Sequence, residues 1–217
     1  MAHDINGILQ IITGAADIML RRPETSSEQE RLCGLILKNT KRGGAVTRRL
    51  LSFARRDMLQ ATNIDLDVLL KEISELLDPL LGKLVKVNYI ASSVDLPQIR
   101  ADRSRLEAAL INLATNSRDA MPTGGIITIT ASPDFERKMV RIDVSDTGAG
   151  VTPEALARAT EPYYSTKELN EGSGLGLAMA RRFVEQSGGA FDIQTEQGIG
   201  TTVSLWMPMS RDPGGKA

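Results

Sequence analysis

Through residues 1–56 the apolar positions recur at alternating steps of three and four, which is the period of an amphipathic helix, with one interruption at residues 22–27, Arg-Pro-Glu-Thr-Ser-Ser. Before the break, Ile5, Ile8, Ile12, Ala15 and Met19 lie along one narrow stripe. After it, Leu32, Ile36, Asn39, Gly43, Val46, Leu50 and Phe53 repeat the step. Ser27 stands three residues before Glu30, the spacing of a capping box at the start of a second helix, so the break reads as a turn between two helices. Two helices with such narrow seams cannot bury their faces by themselves. The pattern therefore predicts a helical hairpin completed into a four-helix bundle by a second copy, a homodimer.

Beyond Arg56 the pattern changes. Residues 66–81 read as a helix, 84–90 as a strand and 98–101 as a short strand, followed by Asp102 as the cap of a helix over 103–121. Alternating apolar and polar residues predict strands at 125–130 and 139–144 joined through 132–138. A second pair is predicted at 191–195 and 201–207, joined around Gly198 and Gly200. Helices are predicted at 153–159 and 175–186. The sum is an α+β chain: a helical hairpin, then an α/β sandwich of a mixed sheet with helices on one face. The expected division is 1–58, 59–210 and a tail at 211–217, without internal repeats.

Composition narrows the partners. With 41% hydrophobic and 24% charged residues in 217, the chain has material for a sizeable core. A net charge of −1 provides no basic field for nucleic acid or an acidic membrane surface. The one cysteine, Cys33, has no companion for an internal disulfide or a thiolate metal site, which fits a reducing compartment. No apolar run is long enough to span a bilayer, and the first residues do not read as a signal peptide. The expectation is a cytoplasmic protein, or the cytoplasmic part of a larger sensor.

Several residues carry candidate chemistry. The sole histidine, His3, falls on a polar stripe with Gly7, Gln10, Gly14 and Asp17, away from the seam; taken alone it is equally an ordinary surface residue. Asp4 points about 100° from it around the helix. Asn112 and Asn116 are four apart and share a helix face, where a magnesium ion and phosphate oxygens would satisfy their amides; a plain surface pair fits the spacing as well. The stretch Asp146-Thr-Gly-Ala-Gly150 follows a strand. Its isolated carboxylate suits the exocyclic amine of a purine, although a simple turn has the same composition. Gly172-Ser-Gly-Leu-Gly176 leads into a helix whose N-terminus would attract an anion. It lacks the lysine of a phosphate-binding loop and does not follow a strand as a dinucleotide fingerprint does.

In chain order the motifs are His-Asp-Ile-Asn from His3, Asn-Leu-Ala-Thr-Asn-Ser-Arg-Asp-Ala-Met from Asn112, Asp-Thr-Gly-Ala-Gly from Asp146, Glu-Pro-Tyr-Tyr-Ser-Thr-Lys ending at Lys167, Gly-Ser-Gly-Leu-Gly-Leu from Gly172 and Gly-Ile-Gly-Thr-Thr-Val from Gly198. Together they resemble the transmitter core of bacterial two-component sensor histidine kinases, over nearly the whole chain. The resemblance implies a GHKL-type ATP-binding fold and an autophosphorylating kinase that uses ATP and Mg2+. His3 would be the phosphoacceptor, Asp4 the acid that helps remove its proton, Asn116 the magnesium ligand and Asn112 a catalytic residue beside the phosphates. Asp146 would read adenine over a floor shaped by Gly148 and Gly150, with Thr201 near the base. Asp119, Lys167, Gly172, Gly174, Leu175 and Gly176 would complete the nucleotide contacts, within or beside a lid over 152–171. The phosphoryl group would pass from His3 to an aspartate of a response-regulator receiver domain.

Three features depart from the family pattern. Gly7 stands where the family commonly has Asn or Thr, a position linked to dephosphorylating the partner, so phosphatase activity by that route is not expected. Tyr163 and Tyr164 replace two phenylalanines of the lid. Only two residues precede His3, which implies a fragment or a shortened bundle. Two rival classes also meet the motifs: a clamp ATPase like gyrase or the mismatch-repair ATPases, which have Glu where this chain has Asn112 and so a carboxylate to activate water, and a phosphotransfer scaffold with a decayed nucleotide domain, against which the intact glycines and asparagines argue.

Overall fold

The computed structural model describes residues 11–16, 18, 29, 31–36, 40, 60–162, 164 and 174–210. The chain divides into two compact units, Met1–Asp57 and Met58–Ala217. In the first, residues 11–16 and 31–36 are helical. Ala15 and Leu32, two members of the predicted seams, are buried there. The expected turn at 22–27, the Ser27–Glu30 capping pair, His3, Asp4 and Gly7 lie outside the described residues.

The second unit begins with a three-residue strand β1 (Thr62–Ile64), then helix α1 (Leu66–Leu81), strand β2 (Val85–Ile90), strand β3 (Ile99–Ala101) and helix α2 (Arg103–Asp119). Strands β4 (Gly125–Asp134) and β5 (Met139–Asp146) follow, then helices α3 (Pro153–Arg158) and α4 (Gly176–Gln186) and strands β6 (Ala190–Glu196) and β7 (Gly200–Pro208). Aspartates start the two long helices. Asp65 accepts a hydrogen bond from the Val68 N–H at 3.2 Å and Asp102 one from the Arg105 N–H at 3.1 Å, each satisfying a backbone donor that the helix leaves open. From these caps the apolar period runs through Leu66, Leu69, Leu70, Ile73 and Leu77 in α1, and through Leu106, Leu110 and Leu113 in α2.

Those stripes pack on a five-stranded sheet of order β2-β4-β5-β7-β6, parallel between β2 and β4 and antiparallel elsewhere. Ile127, Ile129, Val140, Ile142, Val144, Leu205 and Met207 bury against the helices. The alternate positions of the sheet turn the other way and are mostly polar. Asp143 is buried among them, accepting from Ser204 Oγ at 2.6 Å and from Arg141 Nε at 2.7 Å, which compensates the carboxylate for its lost water. Strands β1 and β3 form a separate antiparallel pair.

Most boundaries fall within one or two residues of the sequence expectation, and two features differ more. Strand β4 continues to Asp134, so the turn to β5 is only four residues, closed by the Asp134 carboxylate on the Arg137 N–H at 2.9 Å. Proline at 133 is compatible with this, because β2 pairs with β4 only as far as Thr130 and beyond it β4 has a free edge that needs no N–H donor. The strand β1, absent from the sequence reading, owes its place to Ile64, which buries at 3% exposure opposite Ile99.

Candidate nucleotide site

The sheet ends and the helix ends meet at Asp146, the last residue of β5. Its Oδ1 accepts from the Gly148 N–H at 2.9 Å and from the Thr201 N–H at 3.2 Å, and its Oδ2 accepts from the Ser117 hydroxyl at 2.8 Å. The carboxylate is thus fixed from β7, from the loop after β5 and from α2, while its side chain stays partly open to solvent. Backbone approach under this loop is close. A Cβ on Gly148 would come within 2.9 Å of both the Ala120 carbonyl and Asp146 Oδ1. Gly150 is in the left-handed region at φ +64 with its open side against the Glu196 carbonyl. Thr195 closes the floor: its Oγ1 accepts from the Val151 N–H at 3.0 Å, and lies 3.1 Å from both the Gly200 carbonyl and the Thr201 hydroxyl.

At the other end of the site, Asn112 and Asn116 project from α2 toward the start of α4. A Cβ on Gly176, the first residue of α4, would lie 3.3 Å from Asn116 Nδ2 and 3.7 Å from Asn112 Cβ, so this glycine leaves the space in which the amides sit. Neither carboxamide hydrogen-bonds to another described residue. The α4 N-terminus has no side-chain cap, Leu175 being buried at the cap position. Its first N–H groups and the partial positive charge of the helix end therefore remain directed at this space. Gly174, at φ +61, turns the chain into the helix. Two amides without a hydrogen-bond partner among the described residues, beside an uncapped helix end, are suited to an anion and the hard cation that travels with it. Among the described residues no cluster of three His, Cys, Asp or Glu could hold a metal by itself.

Asp119 lies seven residues after Asn112 on the same helix, at its last position, paired with Arg118 at 2.6 Å. Between the two glycine segments, α3 starts at Thr152, whose hydroxyl caps the Ala155 N–H at 3.3 Å. The chain after α3 is tied down by Arg158, stacked 4.2 Å from the Tyr164 ring centroid, and by Arg181 of α4, which donates to Thr160 at 3.0 Å. Tyr163, Lys167 and Gly172 lie outside the described residues. Thus Asp146, Gly148, Gly150 and Thr201 are brought together at one end, and Asn112, Asn116, Gly174, Leu175 and Gly176 at the other.

Sequence reasoning missed Ser117 and Thr195. The signal for Ser117 was present: it falls on the apolar stripe of α2, four residues after Leu113, where a buried hydroxyl at 6% exposure needs a partner. Thr195 is the penultimate residue of β6 and carries no comparable signal.

Residues 101–211 match the family model described as histidine kinase-, DNA gyrase B-, and HSP90-like ATPase. The chain is similar to the sensor kinase CckA of Brucella abortus (strain 2308), 34% identical over 96% of this chain and 23% of that protein. It is also similar to the sensor histidine kinase ZraS of Escherichia coli (strain K12), 32% identical over 99% of this chain and 46% of that protein. It therefore spans less than half the length of these relatives. Among solved structures, full-length ShkA in complex with AMPPNP matches with a TM-score of 0.72 and 27% identity, over 97% of this chain and 45% of that one. Histidine kinase ThkA in complex with response regulator protein TrrA shares the fold, with a TM-score of 0.76 and 23% identity over 96% of this chain and 60% of that one. Among the described residues no helix is long and apolar enough to cross a membrane.

Proposed function

The chain belongs to the histidine kinase-, DNA gyrase B- and HSP90-like ATPase family, in its sensor histidine kinase branch, and from that premise we propose that it is an ATP-dependent protein histidine kinase that phosphorylates its own His3 and passes the group to an aspartate of a response-regulator receiver domain. The observation that carries the reading is the pairing of a fixed carboxylate at Asp146 with two amides that have no partner among the described residues, beside an uncapped helix end. Adenine has a donor for the first, and a magnesium triphosphate has the charge and oxygens for the second. In the relative ShkA the ligand is AMPPNP, an ATP analogue, which supports the same ligand class for this site.

In this reading Asp146 accepts from the adenine amine, with Gly148, Gly150 and Thr201 shaping the floor. Asn116 supplies the magnesium ligand, and Asn112, Asp119, Lys167 and the glycines from Gly172 to Gly176 line the phosphates with Leu175. Magnesium, when bound, neutralises charge on the phosphate oxygens. The free nitrogen of the His3 imidazole bonds to the γ-phosphorus as the bond to the bridging oxygen breaks and ADP leaves. The proton on the opposite ring nitrogen is lost, with Asp4 assisting. The chain's share of this step is largely positioning and charge stabilisation, since the loose transition state asks little else of a protein. His3 stands on paired helices of a homodimer in the cytoplasm, where the phosphoramidate is open to a receiver aspartate. The division that follows is 1–58 for dimerisation and the acceptor, 59–210 for catalysis and 211–217 as a tail.

Incubation with magnesium and ATP labelled at the γ-phosphate tests the proposal. Acid-labile, base-stable label on the chain, lost in His3→Gln and transferable to a receiver domain, is the expected result. Phosphate release without labelled protein would instead indicate an ATPase. Failure to bind nucleotide would leave only a scaffold.

A further inference from the structure

Counting lone pairs on Asp146 distinguishes its two oxygens. An ionised carboxylate has about four acceptor sites, two on each oxygen. Oδ1 is saturated by the Gly148 and Thr201 N–H groups, at 2.9 and 3.2 Å. Among the described residues Oδ2 accepts only from the Ser117 hydroxyl, at 2.8 Å, and so retains one acceptor site for a ligand. Ser117 is 6% exposed on the buried stripe of α2, which fixes where its hydroxyl can reach. The two backbone donors fix Oδ1 between the loop and β7 and limit rotation about the Cβ–Cγ bond through that oxygen alone. The third donor, on a different element, fixes Oδ2 itself.

We infer that Ser117 is a specificity-determining positioning residue, which holds Asp146 Oδ2 where a single N–H of a purine 6-amino group can reach it. The inference rests on the reading of Asp146 as the acceptor of that amine and adds to it which oxygen reads the base and what orients it. Without the Ser117 hydroxyl Oδ2 loses the donor that fixes it, shifts within the play that the Oδ1 bonds allow and hydrates on that side. The site then still binds the rest of the nucleotide but no longer separates a base that has the amine from one that lacks it.

The test compares magnesium-ADP with magnesium purine riboside 5′-diphosphate, which differs from ADP only in lacking the amine, by calorimetric titration of the full chain and of Ser117→Ala. A hydrogen bond to a charged group is worth about tenfold or more in affinity, and that preference for ADP is expected of the unsubstituted chain. In Ser117→Ala the preference is expected to shrink to about threefold or less, with binding of purine riboside diphosphate unchanged. Ser117→Thr, which keeps the hydroxyl, is expected to restore it. Equal weakening of both nucleotides, or a preference left intact in Ser117→Ala, overturns the role given to Ser117 while Asp146 keeps its own. No preference in the unsubstituted chain overturns both together. Alanine is smaller than serine and suits a helix, so loss of the fold does not confound the comparison.

Discussion

Replacing Gly176 by alanine separates the needs of the fold from those of the ligand. Gly176 is the first residue of α4 and is absent from the set of glycines with positive φ, so alanine can adopt its backbone conformation. Restricting the unfolded chain at such a position is worth about 0.4–1 kcal/mol to the folded state. Against that gain stands a new methyl 3.3 Å from Asn116 Nδ2, with the next contacts at an ordinary 3.7 and 3.8 Å. The Asn116 amide makes no hydrogen bond to another described residue, so it can move a few tenths of an ångström at little cost to the fold. The variant should therefore melt at the same temperature as the parent or about 1–3 °C higher. The displaced amide is the one proposed to ligate magnesium, and the methyl also crowds the helix end meant for phosphate. A tenfold loss of affinity, about 1.4 kcal/mol, is the expected minimum. Thermal unfolding with and without magnesium-ADP measures both quantities, because a ligand bound only to the folded state raises stability by RT ln(1 + [L]/Kd). A Gly176→Ala protein with the parent's full nucleotide-induced shift refutes the placement of the phosphates. One that melts several degrees lower without ligand refutes the claim that Asn116 is free to move.

The remaining expectations concern the floor and the core. Gly148→Ala pushes a methyl to 2.9 Å from the Ala120 carbonyl, which is backbone and cannot swing aside, so the folded state should lose about 1–3 kcal/mol. A urea midpoint equal to the parent's would contradict that. Tyr89 is raised above the ordinary phenol pKa by burial first and then by its hydrogen bond to Asp67 and the charges of Asp67 and Asp65. Since the folded state favours the protonated phenol, its contribution is complete below the unfolded value of about 10 and is lost as pH rises through the higher folded value. Between pH 9 and 11 the parent should lose more stability than Tyr89→Phe; equal losses in denaturant titrations would show that another group is responsible.

What could be read from the chain depended on how locally each feature is encoded. Asp102 is legible as a cap because the helix's open N–H groups lie within three residues of it. The extent of β4 was not, since Pro133 reads as a strand breaker until β2 is seen to stop pairing at Thr130. Asn112, Asn116, Asp146 and the glycines were found by type and spacing, and their meeting is a consequence of α4 packing on α2 and of β7 pairing with β5. Ser117 could not be connected with Asp146 from the sequence: they are 29 residues apart and face one another only because the C-terminal part of α2 passes over the end of β5.

The two ends of the site differ in how completely the protein satisfies itself. At Asp146 three donors, from α2, β7 and the loop after β5, are already in place, so the end proposed for the base is organised before a ligand arrives. At Asn112, Asn116 and the α4 N-terminus the polar groups lack side-chain partners among the described residues, and a bound anion with its cation would complete them. A half-buried amide that water still reaches loses little by waiting, whereas a carboxylate that must distinguish one base from another gains from being held. Substitutions at Ser117 should therefore change which base is preferred, and those at Gly176 how tightly any nucleotide phosphate is held.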